Sequence, residues 1–483
     1  MDRLPHNAGP ENVIFSKGHS HPIMTTLICF LMFAIYIESV LKFRHSIRSA
    51  LIFLLVFTLY IENVLTFKLT VIKGLSLQNL VICLLMCVWA FSVLKGNKLF
   101  QRNNVNGSIF LLILTVLASI PVKMNLGEVP VDMAQEMVNA KNWANPLLIF
   151  FILFNSMDDE KTCNHALVAV GSLLFLSVAS VHLSSFGIFK IGGIVIQRGG
   201  EEGRASGFGE PNQYAAYLVL FIPLLFSRLL FEKGYLRKGF MAFFCLITML
   251  AMVFTGSRGG AVSLICCILV YIFALRRKKL AKPGAVILIP LLVVLMGGAF
   301  FIVAPSRVRD KIIDRFDVEK KKDAKDLTAG RSMVLANGIA MFLESPIFGH
   351  GQATFIPLDR MKFHTATNSH NDYLTQLVEY GLIGLAVFCM GLWKVFLNAL
   401  RQLNTTGNAW LAYLYAAYLA GFCGYCVQML SVNVILPRYP FWIYTAIIYK
   451  YAQLEASAEA STRAETAGCP VPEPCGASLR PSA

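Results

Sequence analysis

The run "HTATNSHNDYLTQLVEYGLIGLAVF" (residues 364–388) joins two kinds of chemistry. From Leu374 onward it is apolar, and with the following "CMGLWKVFL" it is long enough to cross a hydrocarbon core roughly 30 Å thick. In front of that helix stands a polar knot of Asn368, Ser369, His370, Asn371 and Asp372. The first N–H groups of a helix need acceptors, and Asn371 or Asp372 meets that need as a cap. Capping does not require His370. The apolar half therefore sets the fold, and the polar half raises the question of a site at the membrane boundary.

Working outward, the same kind of apolar run recurs along the chain. Of 483 residues, 56% are hydrophobic and only 15% charged, and the mean hydropathy is +0.60. Water-soluble globular chains carry about 25% charged residues. Spans are expected at 23–41, 50–67, 76–94, 108–122, 144–157, 165–186, 212–231, 239–256, 259–275, 284–304, 374–397, 409–430 and 439–452. Backbone polar groups in lipid must be satisfied internally, so such runs are helices. The expected fold is an all-α, polytopic transmembrane helical bundle of 12–13 spans. Its parts are an N-terminal segment (1–22), transmembrane helices (23–304), a long loop with a helix near 330–345 (305–373), C-terminal transmembrane helices (374–452) and a disordered cytoplasmic tail (453–483). The tail is rich in Ala, Pro and Ser without an apolar period. No cleaved leader is expected at the N-terminus.

The formal net charge of +15 would suggest nucleic acid in a soluble protein. Here the basic residues sit in short loops, "KFRHSIR" (42–48), "KGNKLFQR" (95–102), "RLLFEKGYLRK" (228–238) and "RRKKLAK" (276–282). Positive loops stay cytoplasmic, and strict alternation of spans puts all four on one side. The same alternation sends 123–143, 187–211, the corner 256–260 and the loop 305–373 to the far side. One oddity is that 26–43 and 50–67 match at ten of eighteen positions. Consecutive spans run in opposite directions, so the first reads as an addition to a twelve-span body. Glu38 and Glu62 fall at equivalent places near the ends of these two spans, where snorkelling to the interface accounts for them. The twelve cysteines show no disulfide framework or zinc spacing, and Cys423 and Cys426 read as packing residues.

Four polar clusters gather on the far side. In "RASGFGEPNQYAAYL" (204–218), Pro211 and Asn212 are ordinary helix-start punctuation, which leaves Arg204 unexplained. In "TGSRGGAVSL" (255–264), Arg258 lies between two lipid-depth runs with no acid nearby in sequence, an expensive place for an unpaired cation. An anionic ligand is one answer to that cost, and a structural ion pair is the other. Arg331 opens the loop helix, where a solvated charge is the plain reading. His370, flanked by hydrogen-bonding side chains, is suited to take a proton from a hydroxyl near neutral pH. Two arginines and a general base on one face fit transfer of a group from a diphosphate, whose departing charge needs fixed cations. The outer loops show no Asp-x-Asp pair or His/carboxylate cluster of metal-ligand spacing, so no metal and no cofactor is expected.

In order along the chain, "RASGFGEPNQYA", "TGSRGG", "GRSMVLANGIAMFLESPIFGHG" and "NSHNDYLTQLVEYGLIGL" resemble the O-antigen ligase family of bacterial inner-membrane proteins, which includes polysaccharide polymerases. The resemblance covers residues 200 to 390 by motif and the rest by hydropathy. It implies a GT-C-like helical membrane glycosyltransferase, independent of metal, with an undecaprenyl-diphosphate-linked glycan as donor. The acceptor it implies is lipid A–core or a growing glycan, and the active site faces the periplasm. Carried over by motif, His370 is the base, Arg204 and Arg258 bind the diphosphate, and Arg331 and Asn371 join the substrate site. Ligation to lipid A–core is the leading reading. Repeat-unit polymerisation is the nearest rival, and protein glycosylation is less favoured. A flippase would need a polar path through the bilayer, whereas here polar residues collect at one face.

Overall fold

The computed structural model describes residues 46–63, 70–72, 75–94, 101, 103–185, 195–196, 204–207, 209–280, 330–434 and 438–466, with a few isolated positions between 281 and 330. The expected spans at 23–41 and most of 284–304, and the first part of the long loop, lie outside them. Thirteen helices are described: α1 (Ile47–Asn63), α2 (Leu77–Leu94), α3 (Asn106–Leu126), α4 (Met133–Ser156), α5 (Glu160–Ser185), α6 (Pro211–Phe231), α7 (Tyr235–Phe254), α8 (Arg258–Arg277), α9 (Arg331–Glu344), α10 (Phe355–Phe363), α11 (Asp372–Thr405), α12 (Ala409–Gln428) and α13 (Arg438–Thr466). Two short antiparallel pairs, β1–β2 (Thr70–Ile72 with Leu75–Ser76) and β3–β4 (Val195–Ile196 with Arg204–Ala205), are the described strands. Nine helices, α2 to α8, α11 and α12, are long and apolar enough to cross a membrane. The multi-pass, all-helical expectation holds.

Helices α6 and α12 form the centre, and both are buried nearly all round. Such a helix must be apolar on nearly every face, and α6 is, from Tyr214 to Phe226. Lipid offers no hydrophobic drive for helices to associate, so close packing must hold them. Gly421 of α12 supplies it, because any Cβ there would collide with the Leu220 carbonyl of α6. Ser227 of α6 adds hydrogen bonds to Tyr271 Oη of α8 (2.6 Å) and to the Tyr413 carbonyl of α12 (2.8 Å).

The loops sort to two ends. At the basic end, Lys278 Nζ donates to the carbonyls of Asn404 (2.9 Å) and Thr406 (3.0 Å), the Arg228 guanidinium covers Trp410, and Lys450 bonds Gln101. At the other end, the buried Lys123–Glu136 pair (2.5 Å) ties α3 to α4, and Lys123 also bonds the Gln352 carbonyl (3.2 Å). Two expectations need correction. The stretch 123–143, placed between the spans 108–122 and 144–157, is mostly a continuation of their helices, since α3 runs to Leu126 and α4 starts at Met133 with Asp132 as its cap. The stretch 453–466, read as disordered tail, continues α13 to Thr466. Its Ala, Glu, Gln and Leu are good helix formers, and an Arg463–Glu459 pair adds an i,i+4 contact.

Helix α11 is broken. Gly381 has φ 65° and ψ −165°, so α11 divides into a short outer piece (372–380) and a long membrane piece (382–405). The loop 346–351 fills the break. His350 and Gly351 donate their N–H groups to the carbonyls of Val378 (3.0 Å) and Glu379 (2.8 Å), and Leu382 donates to the Pro346 carbonyl (2.9 Å). Groups that the kink removes from the helical ladder are thereby satisfied.

Candidate active site

Arg204 stands on β4 and is buried. Its Nε donates to the Thr255 carbonyl at 2.8 Å and its Nη2 to Asn212 Oδ1 at 3.2 Å. It thereby joins the start of α6 to the 255–260 corner. At that corner Gly256 takes φ 56°, Ser257 caps α8 by accepting from Gly260 N (3.1 Å), and half-buried Arg258 is the first residue of α8. Gly259 lies against Ser431, while Gln428 accepts from Ser263 Oγ (2.8 Å) and donates to the Asn212 carbonyl (3.3 Å). One residue beyond Gln428, the Met429 carbonyl accepts from Asp372 N (2.9 Å). The turn after α12 thus brings the arginine corner up to the start of α11.

At that start the polar knot divides its work. Asn371 Oδ1 accepts from Leu374 N (3.1 Å) and is the cap. Asp372, fully buried, takes Arg438 Nη2 (3.0 Å) and Val434 N (3.1 Å). Ser369 Oγ bonds Asn433 (3.0 Å) and Thr375 (2.6 Å). The loop ahead is organised by buried Asp359, which accepts from Asn337 (2.9 Å), Thr365 Oγ1 (2.5 Å) and Thr367 N (2.8 Å). His370 has none of these duties. It holds a left-handed backbone, φ 48°, a conformation that costs a non-glycine residue roughly 1–3 kcal/mol.

The charges around His370 come from distant parts of the chain. Burial, and after it the Arg331 guanidinium, lower its pKa from the usual histidine value, and the Glu210 carboxylate acts the other way. A lowered pKa keeps the imidazole neutral at neutral pH, the form able to accept a proton. Arg331 and His370 are thus electrostatic neighbours, while Arg204 and Arg258 belong to the adjoining corner. The sequence reading missed Glu210, Asp359 and Arg438. "GEPNQ" and "FIPLDR" look like helix punctuation and an amphipathic turn, and nothing local in them signals a tertiary partner.

A chamber of about 510 Å³ adjoins the knot, walled by α4, the 352–357 segment, the outer piece of α11 and the start of α13. Asn368 and Asn433 line it, and neither Arg204, Arg258, Arg331 nor His370 does. The expectation that the outer loops hold no His/carboxylate cluster is corrected in part: Glu128, Glu344 and His350, far apart in sequence, place ligand atoms within 4.8 Å of one another. Lys362 bonds both carboxylates, and His350 bonds Glu128 (2.8 Å) and the Met341 carbonyl (2.7 Å). A cation of the chain's own already sits there, and the cluster fastens α9 and α10 to the end of α3.

No curated protein matches the chain. Residues 241–389 match the family model described as O-Antigen ligase. The matched stretch holds the Arg258 corner, the Arg331 helix, the 346–351 loop and the His370 knot, and begins after Arg204. It carries the coarse reading of a multi-pass membrane protein with glycosyltransferase-like chemistry on lipid-linked glycans. Found together with nine membrane-length helices and a polar site at one end, this match supports assigning the chain to the O-antigen ligase family.

Proposed function

We propose that the protein transfers a glycan from undecaprenyl diphosphate to an acceptor hydroxyl at the periplasmic face of the bacterial inner membrane, with lipid A–core as the acceptor. The observation that carries this reading is the placement of His370: half-buried, relieved of capping by Asn371, and beside Arg331 at the end of the bundle where the Arg204–Arg258 corner lies. In the step, the acceptor oxygen bonds to the anomeric carbon as its proton passes to the His370 imidazole. The bond from that carbon to the phosphate oxygen breaks, and the diphosphate leaves with the electron pair. Arg204 and Arg258 meet its charge, so the reading calls on no metal. Arg331 and the Asn371 amide nitrogen complete the substrate contacts. The basic loops at the opposite end support a periplasmic site through the positive-inside rule.

Purified protein in liposomes, given lipid-linked glycan and lipid A–core, tests this. His370→Ala is expected to lower transfer by about 100- to 10,000-fold, the usual contribution of a general base. Full activity in that variant would remove His370 from the mechanism. In cells, deletion is expected to leave core without glycan while lipid-linked polymer accumulates. Core carrying a single repeat unit would instead identify a polymerase.

A further inference from the structure

The chamber beside the His370 knot is built from groups with unspent hydrogen-bonding capacity. Gln352 is 4% exposed, and its side-chain oxygen has no hydrogen-bond partner. Gln376, 2% exposed on the outer piece of α11, makes no side-chain hydrogen bond among the described residues, and neither do Asn142 and Asn368. The Gln352 oxygen is a buried acceptor left without a partner, a costly state, while Asn142 is exposed and Asn368 half-buried; amides grouped in this way around one chamber point to a ligand that supplies donors and acceptors together. Glu379 adds a carboxylate anchored by the N–H groups of Ala353 and Phe355. Trp143, whose ring lies 6.5 Å from that of Tyr380, adds an aromatic wall.

This combination excludes some ligands and favours one. The cation on the lining, Arg438, is already paired with Asp372 at 3.0 Å, so the chamber offers little to a diphosphate. Its lining is largely apolar, with Trp143, Pro146, Phe355, Ile356 and Tyr380, and the amides and the Glu379 carboxylate are set among these faces. Amide and carboxylate groups match the alternating hydroxyls of a sugar, and an aromatic face suits the C–H side of a pyranose ring. The volume falls in the ordinary range for small-ligand sites, about 300–1,000 Å³. Asn368 lines the chamber two residues before His370, and Asn433 lines it while bonding Ser369 next to His370.

We propose that this chamber is the subsite for the acceptor saccharide, holding an uncharged sugar so that one hydroxyl reaches His370 from the side opposite the diphosphate. The proposal rests on the transfer reading above. The test uses full-length protein in detergent, with deacylated, dephosphorylated core oligosaccharide as probe in calorimetric titration. Undecaprenyl diphosphate is the second probe, and steady-state transfer is measured in parallel. Gln376→Ala and the exposed-site variant Asn142→Ala are each expected to weaken oligosaccharide binding about tenfold. They should raise the acceptor KM by a similar factor and leave undecaprenyl diphosphate binding unchanged. Unaltered oligosaccharide affinity in both variants overturns the proposal. So does a shift confined to the donor, which would make the chamber a donor-sugar site. If wild type transfers glycan, His370→Ala does not, and both chamber variants behave as wild type, only the subsite assignment falls. If wild type binds the oligosaccharide through these residues yet transfers nothing, the transfer reading falls.

Discussion

His370, the base of the proposed transfer, is relieved of structural duties by its neighbours. Asn371 caps α11, Asp372 holds Arg438 and Ser369 anchors to Asn433, so the imidazole is not needed to close the helix. Its basicity is lowered first by burial and then adjusted by charges from elsewhere. A base works only when unprotonated, so the acidic limb of kcat/KM follows its pKa. Arg331 lowers that pKa, and Arg331→Gln should move the limb to higher pH; Glu210 raises it, and Glu210→Gln should move the limb to lower pH. A pH–rate profile of both variants, with no movement or the reverse order, would detach these groups from the base. Arg258→Lys should also cut activity, by about tenfold or more, because an ammonium cannot grip two phosphate oxygens as a guanidinium does. At this scale the sequence was informative about the cap and about the residue left over from it. It was silent about Glu210 and Asp359, whose partners lie up to 160 positions away and leave no local trace.

Among the elements, α11 was legible as a helix and illegible as two. "EYGLIG" reads as an apolar run with tolerated glycines, and only the packed loop 346–351 reveals that Gly381 is left-handed. Any side chain at Gly381 would strike the Ile347 backbone. Gly381→Ala should therefore destabilise the protein by about 1–3 kcal/mol, seen as a lower melting temperature in detergent and faster proteolysis at 346–351. The Asp372–Arg438 pair is the second fastening of this element. Asp372→Ala takes the carboxylate partner from the half-buried Arg438 guanidinium and from Val434 N and should cost about 1–3 kcal/mol in the same melting assay. The stretches left outside the expected helices, 123–143 between spans and 453–466 in the tail, share one cause. Their polar residues fail a membrane-span criterion, but helices extend past the bilayer wherever good helix formers and caps allow it.

For the molecule as a whole, alternation of basic and mixed loops foretold the two ends, because span direction is a counting problem that hydropathy solves well. What it could not supply was which loop meets which, since those meetings depend on the turn at 428–434 and on the break in α11. If the site is periplasmic, a cysteine placed at Asp132→Cys in a cysteine-free background should react with an impermeant thiol reagent in intact spheroplasts. Lys233→Cys should react only after the membrane is opened. The reverse pattern would invert the protein in its membrane. The interruption at Gly381 has a mechanical consequence at this scale. The nine residues 372–380, which follow the cap and carry the buried acid and part of the chamber wall, are bonded to the 346–351 loop, and so is the start of the long piece below through Leu382 and Ile383. The loop therefore acts as a splint across the break, and the angle between the two pieces is expected to stay fixed in membranes of differing thickness.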